Sequence, residues 1–503
     1  MARVPRPSVR SAAIPAAAVI AFWPTWTGMF VATQSGGDTG YYPIFVILVL
    51  LAAVGIARRP RQRLPISDRQ ANAIAGFLGL VVAGLIKLLV VPRYAEHHVL
   101  LQLDLLAALI LLLSATVLLF GLRQLGTYWP LWLALIAGGP LSYRLLSSLL
   151  GGDARANGTA SILICASAIA LGLGRHRREY LAIYALACAI GFVALSLLIT
   201  LAPGFGLVQF QRLPVVIAAA ATWLLIRWQC RHAGPRPLER TPQSVPGSTE
   251  SSWRSVAVLA IAAGLIATIP VPETSRAEVA EGPGSPPRIT QVVPAGWVED
   301  SREEYTWVRR YFGPEATLGR QVLRATPGNS ELELLDPGPA GTGAVTALLD
   351  PQLPSTPPPA RRVAIDTFTL PNRVQLDIYP VGTLYDLSGT RRSTPQRVDL
   401  GEGVSGHLQS VIDEEQYLTT TRLDLAWQRG DVVQRIVLTT LDNREAGARF
   451  PEPEPSMASN LAVLLEIFFR GNAALTDLQP QIKDAQLMTT IARQLVAAQF
   501  AGY

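Results

Sequence analysis

The chain opens as a succession of apolar runs separated by short basic loops and closes as short alternating segments. The change falls at Trp253–Pro272 (WRSVAVLAIAAGLIATIPVP), which is uncharged from Ser255 to Val271. That is just enough helix to cross a hydrocarbon core roughly 30 Å thick. Nine runs read as spans, over 11–33, 41–57, 71–91, 99–120, 128–146, 158–174, 180–201, 213–228 and 254–271. The fifth opens on Trp129-Pro130 and is interrupted by Gly138-Gly139-Pro140, so a short span continuing as an interfacial helix (LSYRLLSSLL) is expected there. From Ile289 onward the period shortens. Arg361–Leu370, Arg373–Tyr379, Leu418–Trp427 and Asp431–Thr440 alternate as strands do, and Gln428-Arg429-Gly430 reads as the turn of a hairpin. Gly328–Pro359 is broken by Pro and Gly and reads as loop with one or two edge strands. Met457–Arg470 (MASNLAVLLEIFFR) and Pro480–Phe500 carry apolar residues at helical spacing. Packing on the sheet is the first reading of Met457–Arg470, and resting on a membrane surface the second.

The expected fold class is therefore a polytopic α-helical membrane domain of about nine spans followed by an extracytoplasmic α+β domain, its sheet mostly antiparallel with helices on one face. Residues 1–228 form the eight-span membrane domain, 229–252 a cytoplasmic linker and 253–272 the ninth span. Residues 273–288 form an outer linker and 289–503 the α+β domain.

Charge sets the orientation. Of the 43 basic residues only Lys87 and Lys483 are lysine. One set of loops holds Arg3, Arg6, Arg10, Arg58, Arg59, Arg61, Arg63, Arg69, Arg123, Arg175, Arg177 and Arg178, with five more between Arg227 and Arg254. The alternate loops hold only Arg93, Arg144, Arg155 and Arg212. Positive residues collect on the cytoplasmic side, so a multi-pass protein of the plasma (inner) membrane is expected, N-terminus inside and C-terminal domain outside. The net charge of +6 follows this topology rather than forming a nucleic-acid surface, and the lipid bilayer is the expected partner. MARVPRPSVR resembles the start of a signal peptide, but more apolar runs follow, so the first run is taken as a retained span.

Few side chains offer chemistry. Lys87 and Asp104 flank the loop Pro92–His98 at similar depth in a helical hairpin, where an ion pair would offset the cost of two intramembrane charges. Independent snorkelling of the two is the alternative. His97 and His98, beside the Glu96 carboxylate in that loop, are candidate acid/base groups that could relay protons or bind a metal, with plain solvation the alternative. The three cysteines, Cys165, Cys188 and Cys230, lack metal-ligand spacing and all precede the last span, so no metal or cofactor is expected and no disulfide supports the outer domain. A nucleophilic cysteine needs a base or cation beside it, and for Cys165 the outward-facing candidates are Arg212, Arg144 and the His97-His98 pair.

Tyr41-Tyr42-Pro43 before span two, the arginine-rich turn Arg58–Arg63, Trp129-Pro130-Leu131-Trp132-Leu133 and the amphipathic Leu145–Leu150 together resemble the exosortase/archaeosortase family of membrane transpeptidases. The region from Ala295-Gly296-Trp297 is similar to the exopolysaccharide-linked domain sometimes fused to them. The resemblance implies processing of C-terminal sorting signals on exported proteins, with Cys165 as nucleophile and Arg212 stabilising the oxyanion or carboxylate. The neighbours of Cys165, namely Ile164, Ala166 and Ser167, differ from the family's Ala-Cys-Ser-Gly-like run. The leading expectation is accordingly an exosortase-like scaffold that binds or positions components of envelope or exopolysaccharide assembly. An active cysteine transpeptidase is the first alternative, and a transporter or flippase subunit the second.

Overall fold

A computed structural model describes residues 9–34, 37–57, 69–174, 176–232, 250–271, 279–281, 292–326, 360–371, 373–414, 418–430, 432–442, 448–477, 480 and 482–500. Gly328–Pro359 and most of both expected linkers lie outside the described residues. The chain divides into two units, Met1–Glu273 and Thr274–Tyr503.

Among the described residues the regular structure of the first unit is all helical. Its main elements are α1 (Val9–Ala21), α2 (Trp23–Gln34), α3 (Tyr42–Ala57), α4 (Arg69–Leu85, continued by a π-helical turn Ile86–Val90), α5 (Leu103–Phe120), α6 (Trp129–Ala137), α7 (Pro140–Leu149), α8 (Ala154–Leu173), α9 (Arg177–Leu201), α10 (Leu207–His232) and α11 (Glu250–Ala267). Among the described residues, five helices are long and apolar enough to cross a membrane: Gln70–Arg93, Leu103–Phe120, Ala154–Leu173, Arg177–Leu201 and Leu207–Gln229. They make this a membrane-embedded region.

Three of the nine expected spans are not single helices, the fourth turning at left-handed Gln102 (φ 47°) between His98–Leu101 and Leu103–Phe120. The first is bent by 79° between Ala21 and Trp23. Pro24 has no N–H for the carbonyl four residues back and its ring crowds that turn, so the helix breaks there. The fifth is two helices, α6 and α7, parted at Gly138-Gly139, with Pro140 opening α7 where a missing N–H costs nothing. Tyr42–Ala57 and Trp253–Ala267 are apolar but shorter than the five.

Close contacts define the bundle's two ends. A Cβ on Gly55 would lie 2.2 Å from the Gly172 carbonyl, so α3 and α8 meet backbone to backbone where both are about to end. Asn72, early in α4, accepts a hydrogen bond from Leu122 N at 2.9 Å. At the opposite end, the Tyr41 hydroxyl donates to the Gly138 carbonyl at 2.8 Å and Arg144 reaches the carbonyls of Val99 and Leu100. Large apolar side chains such as Ile47, Leu50, Leu51 and Val193 face outward, as they do on a surface covered by lipid.

Among the described residues the second unit is built on one sheet of nine strands: β1 (Val279–Glu281), β2 (Trp297–Glu304), β3 (Thr317–Ala325), β4 (Arg362–Leu370), β5 (Thr390–Arg392), β6 (Gln396–Asp399), β7 (Ser405–Asp413), β8 (Leu418–Arg429) and β9 (Val432–Leu441). The order is β2-β3-β4-β9-β8-β7-β5, with β6 also on β7 and β1 on β8. All pairs are antiparallel except β1 with β8. Alternation along the strands divides the core. Val363, Ile365, Leu423, Leu425, Trp427 and Leu438 join one cluster with Leu487, Met488, Ile491 and Leu495 of the last helix, Ala485–Phe500. Phe368, Leu370, Val433 and Val437 point the other way, into a cluster closed by Val308, Phe312, Leu376, Leu384 and Tyr385. Both faces of the sheet are thus covered, rather than one.

Arg373–Tyr379 is not a strand. Val374–Ile378 is a short helix, α13, preceded in chain order by α12 (Val308–Phe312). Buried Arg435 of β9 donates to the carbonyls of Tyr379 at 2.8 Å and Leu376 at 3.2 Å, occupying the groups a helix end leaves open.

Met457–Arg470 forms α14, which Ser456 caps by accepting from Ser459 N. Its inner face, Ser459, Val463 and Ile467, is buried. Asn460 Nδ2 donates to the Thr383 carbonyl at 3.2 Å and the Ser459 hydroxyl donates to Asp386. Burial by itself would raise the Asp386 carboxyl, but the hydroxyls of Ser388 and Ser459 outweigh it and hold the group below its usual 3.8. A folded-state value lower than the unfolded one makes this tie fully effective above about pH 4 and progressively lost as acid takes the pH through the lower folded value. Corrected hydrogen-exchange protection of 457–470 is expected to fall on acidification over that window, and to fall less in Ser459→Ala.

Candidate functional site

The end of the bundle that holds Tyr41 and Arg144 gathers most of the buried polar groups of the first unit. Asp153 caps α8, its Oδ1 accepting from Ala156 N at 2.7 Å. That places Asn157 and Ser161, one turn apart, against α7. The Tyr143 hydroxyl donates toward Asn157, 2.9 Å from its carbonyl and 3.0 Å from Oδ1, and accepts from Gln211 Nε2 at 3.0 Å. Ser161 Oγ donates to the Asn157 carbonyl at 2.9 Å. The Tyr143 ring stacks on Tyr41 with centroids 4.0 Å apart and planes 14° from parallel.

Two arginines frame this cluster. Arg144 Nε lies 2.6 Å from Asp38 Oδ2, and its Nη1 donates to the Val99 carbonyl at 2.8 Å and the Leu100 carbonyl at 3.2 Å. Arg212 Nε donates to the Gly40 carbonyl at 2.6 Å and Nη2 to the Thr33 carbonyl at 3.1 Å. Gln211 Nε2 also reaches the Asp38 carbonyl at 3.1 Å. The segment 37–41 is therefore held from both sides by side chains of α7 and α10. A guanidinium spreads several donors in one plane, which suits it to fastening carbonyls of a turn.

Cys165 lies one helical turn beyond Ser161, buried with a free thiol among apolar side chains of α3, α8 and α9. It has no hydrogen bond or ion pair to Arg212, Arg144, His97 or His98, and Arg212 is directed at main-chain carbonyls. His97 is buried in the turn Ala95–His97. His98 Nε2 lies 4.0 Å from Asp104 Oδ2. Among the described residues no hydrogen bond or ion pair thus joins the candidate nucleophile to the candidate cations or acid/base groups.

Lys87 and Asp104 are both buried but not ion-paired. Lys87 Nζ donates instead to the carbonyls of Ala21 and Ile266, each at 2.9 Å, and lies 5.0 Å from the centre of the Phe22 ring. These carbonyls belong to the last turns of α1 and α11, so one ammonium serves two helix C-termini. The break at Phe22 supplies the reason: it frees the Ala21 carbonyl, and a free carbonyl in apolar surroundings takes the nearest donor.

No group of three or more His, Cys, Asp or Glu side chains able to hold a metal occurs among the described residues. Asp38, Tyr143, Asn157, Ser161 and Gln211 were not singled out from sequence. Asn157 and Ser161 at i and i+4 inside an apolar run were the available signal. No protein-family model matches the sequence, and none of the curated proteins or solved structures compared with it does. What the fold defines is a class: a membrane-embedded region of apolar helices followed by an antiparallel-sheet domain.

Proposed function

We propose that this chain is an integral protein of a bacterial plasma membrane that binds and positions other components rather than performing cysteine chemistry. The reading carries over the arginine asymmetry, with N-terminus cytoplasmic and the antiparallel domain outside, and the likeness in layout to exosortases, which points to envelope or exopolysaccharide assembly. The observation that carries the non-catalytic part is the state of the two arginines. Arg144 and Arg212 are fastened to carbonyls and to Asp38, while Cys165 is left among apolar groups. Among the described residues a thiol so placed has no cation or histidine bonded to it to stabilise the thiolate, the form that attacks.

The test is genetic and chemical together. In a strain lacking the protein, Cys165→Ser should restore the envelope phenotype as well as the parent chain does. An impermeant maleimide should leave Cys165 unlabelled. Loss of complementation at normal protein level, with labelling of Cys165 in the parent, would favour the active transpeptidase instead. A periplasm-dependent reporter joined after Tyr503 should be active; a reporter active only in the cytosol there would reverse the topology.

A further inference from the structure

The outer face of α14 is apolar and solvent-exposed, with no partner among the described residues of its own unit. Leu461, Leu465, Phe468 and Phe469 are 56%, 48%, 52% and 75% exposed. With Ala458 and Ala462, also exposed, they form an uncharged stripe covering roughly 120° of the helix at 100° per residue. The opposite face is committed to the domain through Ser459, Asn460, Val463 and Ile467, so the stripe cannot turn inward. Phe468 and Phe469 stack edge-to-face on each other, and Arg470 beside them is exposed and paired with Glu466 one turn back. A stripe of this kind on a free-standing domain is an aggregation hazard unless something apolar covers it.

From these observations we propose that the outer face of α14 lies in the interfacial layer of the lipid bilayer. The chain itself argues for lipid as the occupant. Val279, where the second unit begins its sheet, is twelve residues past Ala267, the end of the apolar helix α11. Fully extended, that tether reaches at most about 40 Å, so a membrane surface is always within range. It also enters on the appropriate side. Val279 packs into the same cluster as Leu384 and Tyr385, in the loop on which α14 rests. A tethered helix needs little intrinsic affinity, because attachment turns binding into an intramolecular step at high effective concentration. Phenylalanines would enter the acyl boundary, and Arg470 at the helix end can reach lipid phosphate by snorkelling. The inference needs α11 to be membrane-embedded but is independent of whether Cys165 is catalytic.

The experiment uses the full chain in phosphatidylcholine/phosphatidylglycerol nanodiscs. With Cys165, Cys188 and Cys230 replaced by serine, Phe469→Cys is labelled with an environment-sensitive nitrobenzoxadiazole dye. Glu402→Cys, in the turn between β6 and β7 beside the other core cluster, is the comparison. Residue 469 is expected to emit to the blue of 402 and to be quenched severalfold more by doxyl-labelled lipid than by iodide, with the reverse at 402. Equal iodide quenching at both positions overturns the proposal. So does a residue 469 shielded from both quenchers that becomes exposed on dilution, which marks a second copy of the chain. If the cysteine-free chain does not fold, the unaltered protein answers the same question. A diazirine-bearing lipid should label the 457–470 peptide well above the 396–413 peptide, and equal labelling overturns the idea.

Discussion

Asp366→Ala is expected to cost the antiparallel domain about 3–5 kcal/mol, the effect of stranding one member of a buried ion pair. Arg320 and Asp366 stand directly opposite each other on β3 and β4. The guanidinium grips the carboxylate with two parallel bonds, Nε to Oδ1 and Nη2 to Oδ2, each 2.7 Å, and Nη2 also donates to the Pro451 carbonyl at 2.7 Å. The Tyr385 hydroxyl completes the carboxylate shell at 2.7 Å from Oδ2. Burial tends to neutralise Arg320, but the bonds to Asp366 outweigh it and hold the guanidinium charged. Burial first, then the Asp366 charge, push the Tyr385 phenol well above its ordinary value. Removing Asp366 leaves a cation without a counter-charge under the loop that carries α14. Hydrogen-exchange protection along β3 and β4 should fall by about two to three and a half orders of magnitude, at 1.4 kcal/mol per tenfold. Arg320→Leu with Asp366→Leu should recover a large part of that loss, because two apolar side chains avoid the desolvation that the pair must offset. A double variant as weak as Asp366→Ala would show that the contacts to Pro451 and Tyr385, not the uncompensated charge, set the cost.

That pair was not visible as a pair in the sequence, although both residues were. Arg361–Leu370 declared itself by alternation, as did the hairpin around Gly430, whose backbone adopts φ +57°. Those signals are local. The strand β2, WVEDSREE, is polar on nearly every position because it is an edge, exposed along most of its length, and an edge strand has no apolar face to announce it. Arg373–Tyr379 alternates as well as a strand does, yet folds as a helix because Arg435, far along the chain, takes its terminal carbonyls. The period of a seven-residue segment cannot carry a partner that distant. In the membrane-embedded region the apolar runs located nearly every helix. The polar cluster was legible only as isolated residues, since joining Tyr143, Asn157 and Gln211 requires knowing that three helices start at the same end and that segment 37–41 folds over them.

Replacement of Lys87 is the second large expected effect. Sequence symmetry about Pro92–His98 pointed to Asp104 as its partner, whereas the ammonium is bonded to Ala21 and Ile266. Hydrogen bonds from a charged donor are each worth about 1.5–3 kcal/mol in soluble proteins, and polar contacts between membrane helices average nearer 0.6. Two such bonds, shielded fully from solvent, place Lys87→Met at about 1–3 kcal/mol of lost stability. Lys87→Ala should cost about 2–4, because the methylene stem that fills the space beside Phe22 goes too. The loss should appear as loosening of α1 and α11 specifically. Protection from exchange near Ala21 and Ile266 should fall together, since one ammonium holds both C-termini. Asp104→Asn leaves those bonds in place and should cost less than about 1 kcal/mol, and in a double-mutant cycle with Lys87→Met the coupling should stay below about 0.5 kcal/mol. Coupling well above 1 kcal/mol, with the ends of α1 and α11 unmoved, would return Lys87 to Asp104. The carbonyl clamp would then cease to explain how the C-terminal ends of α1 and α11 are held at one point.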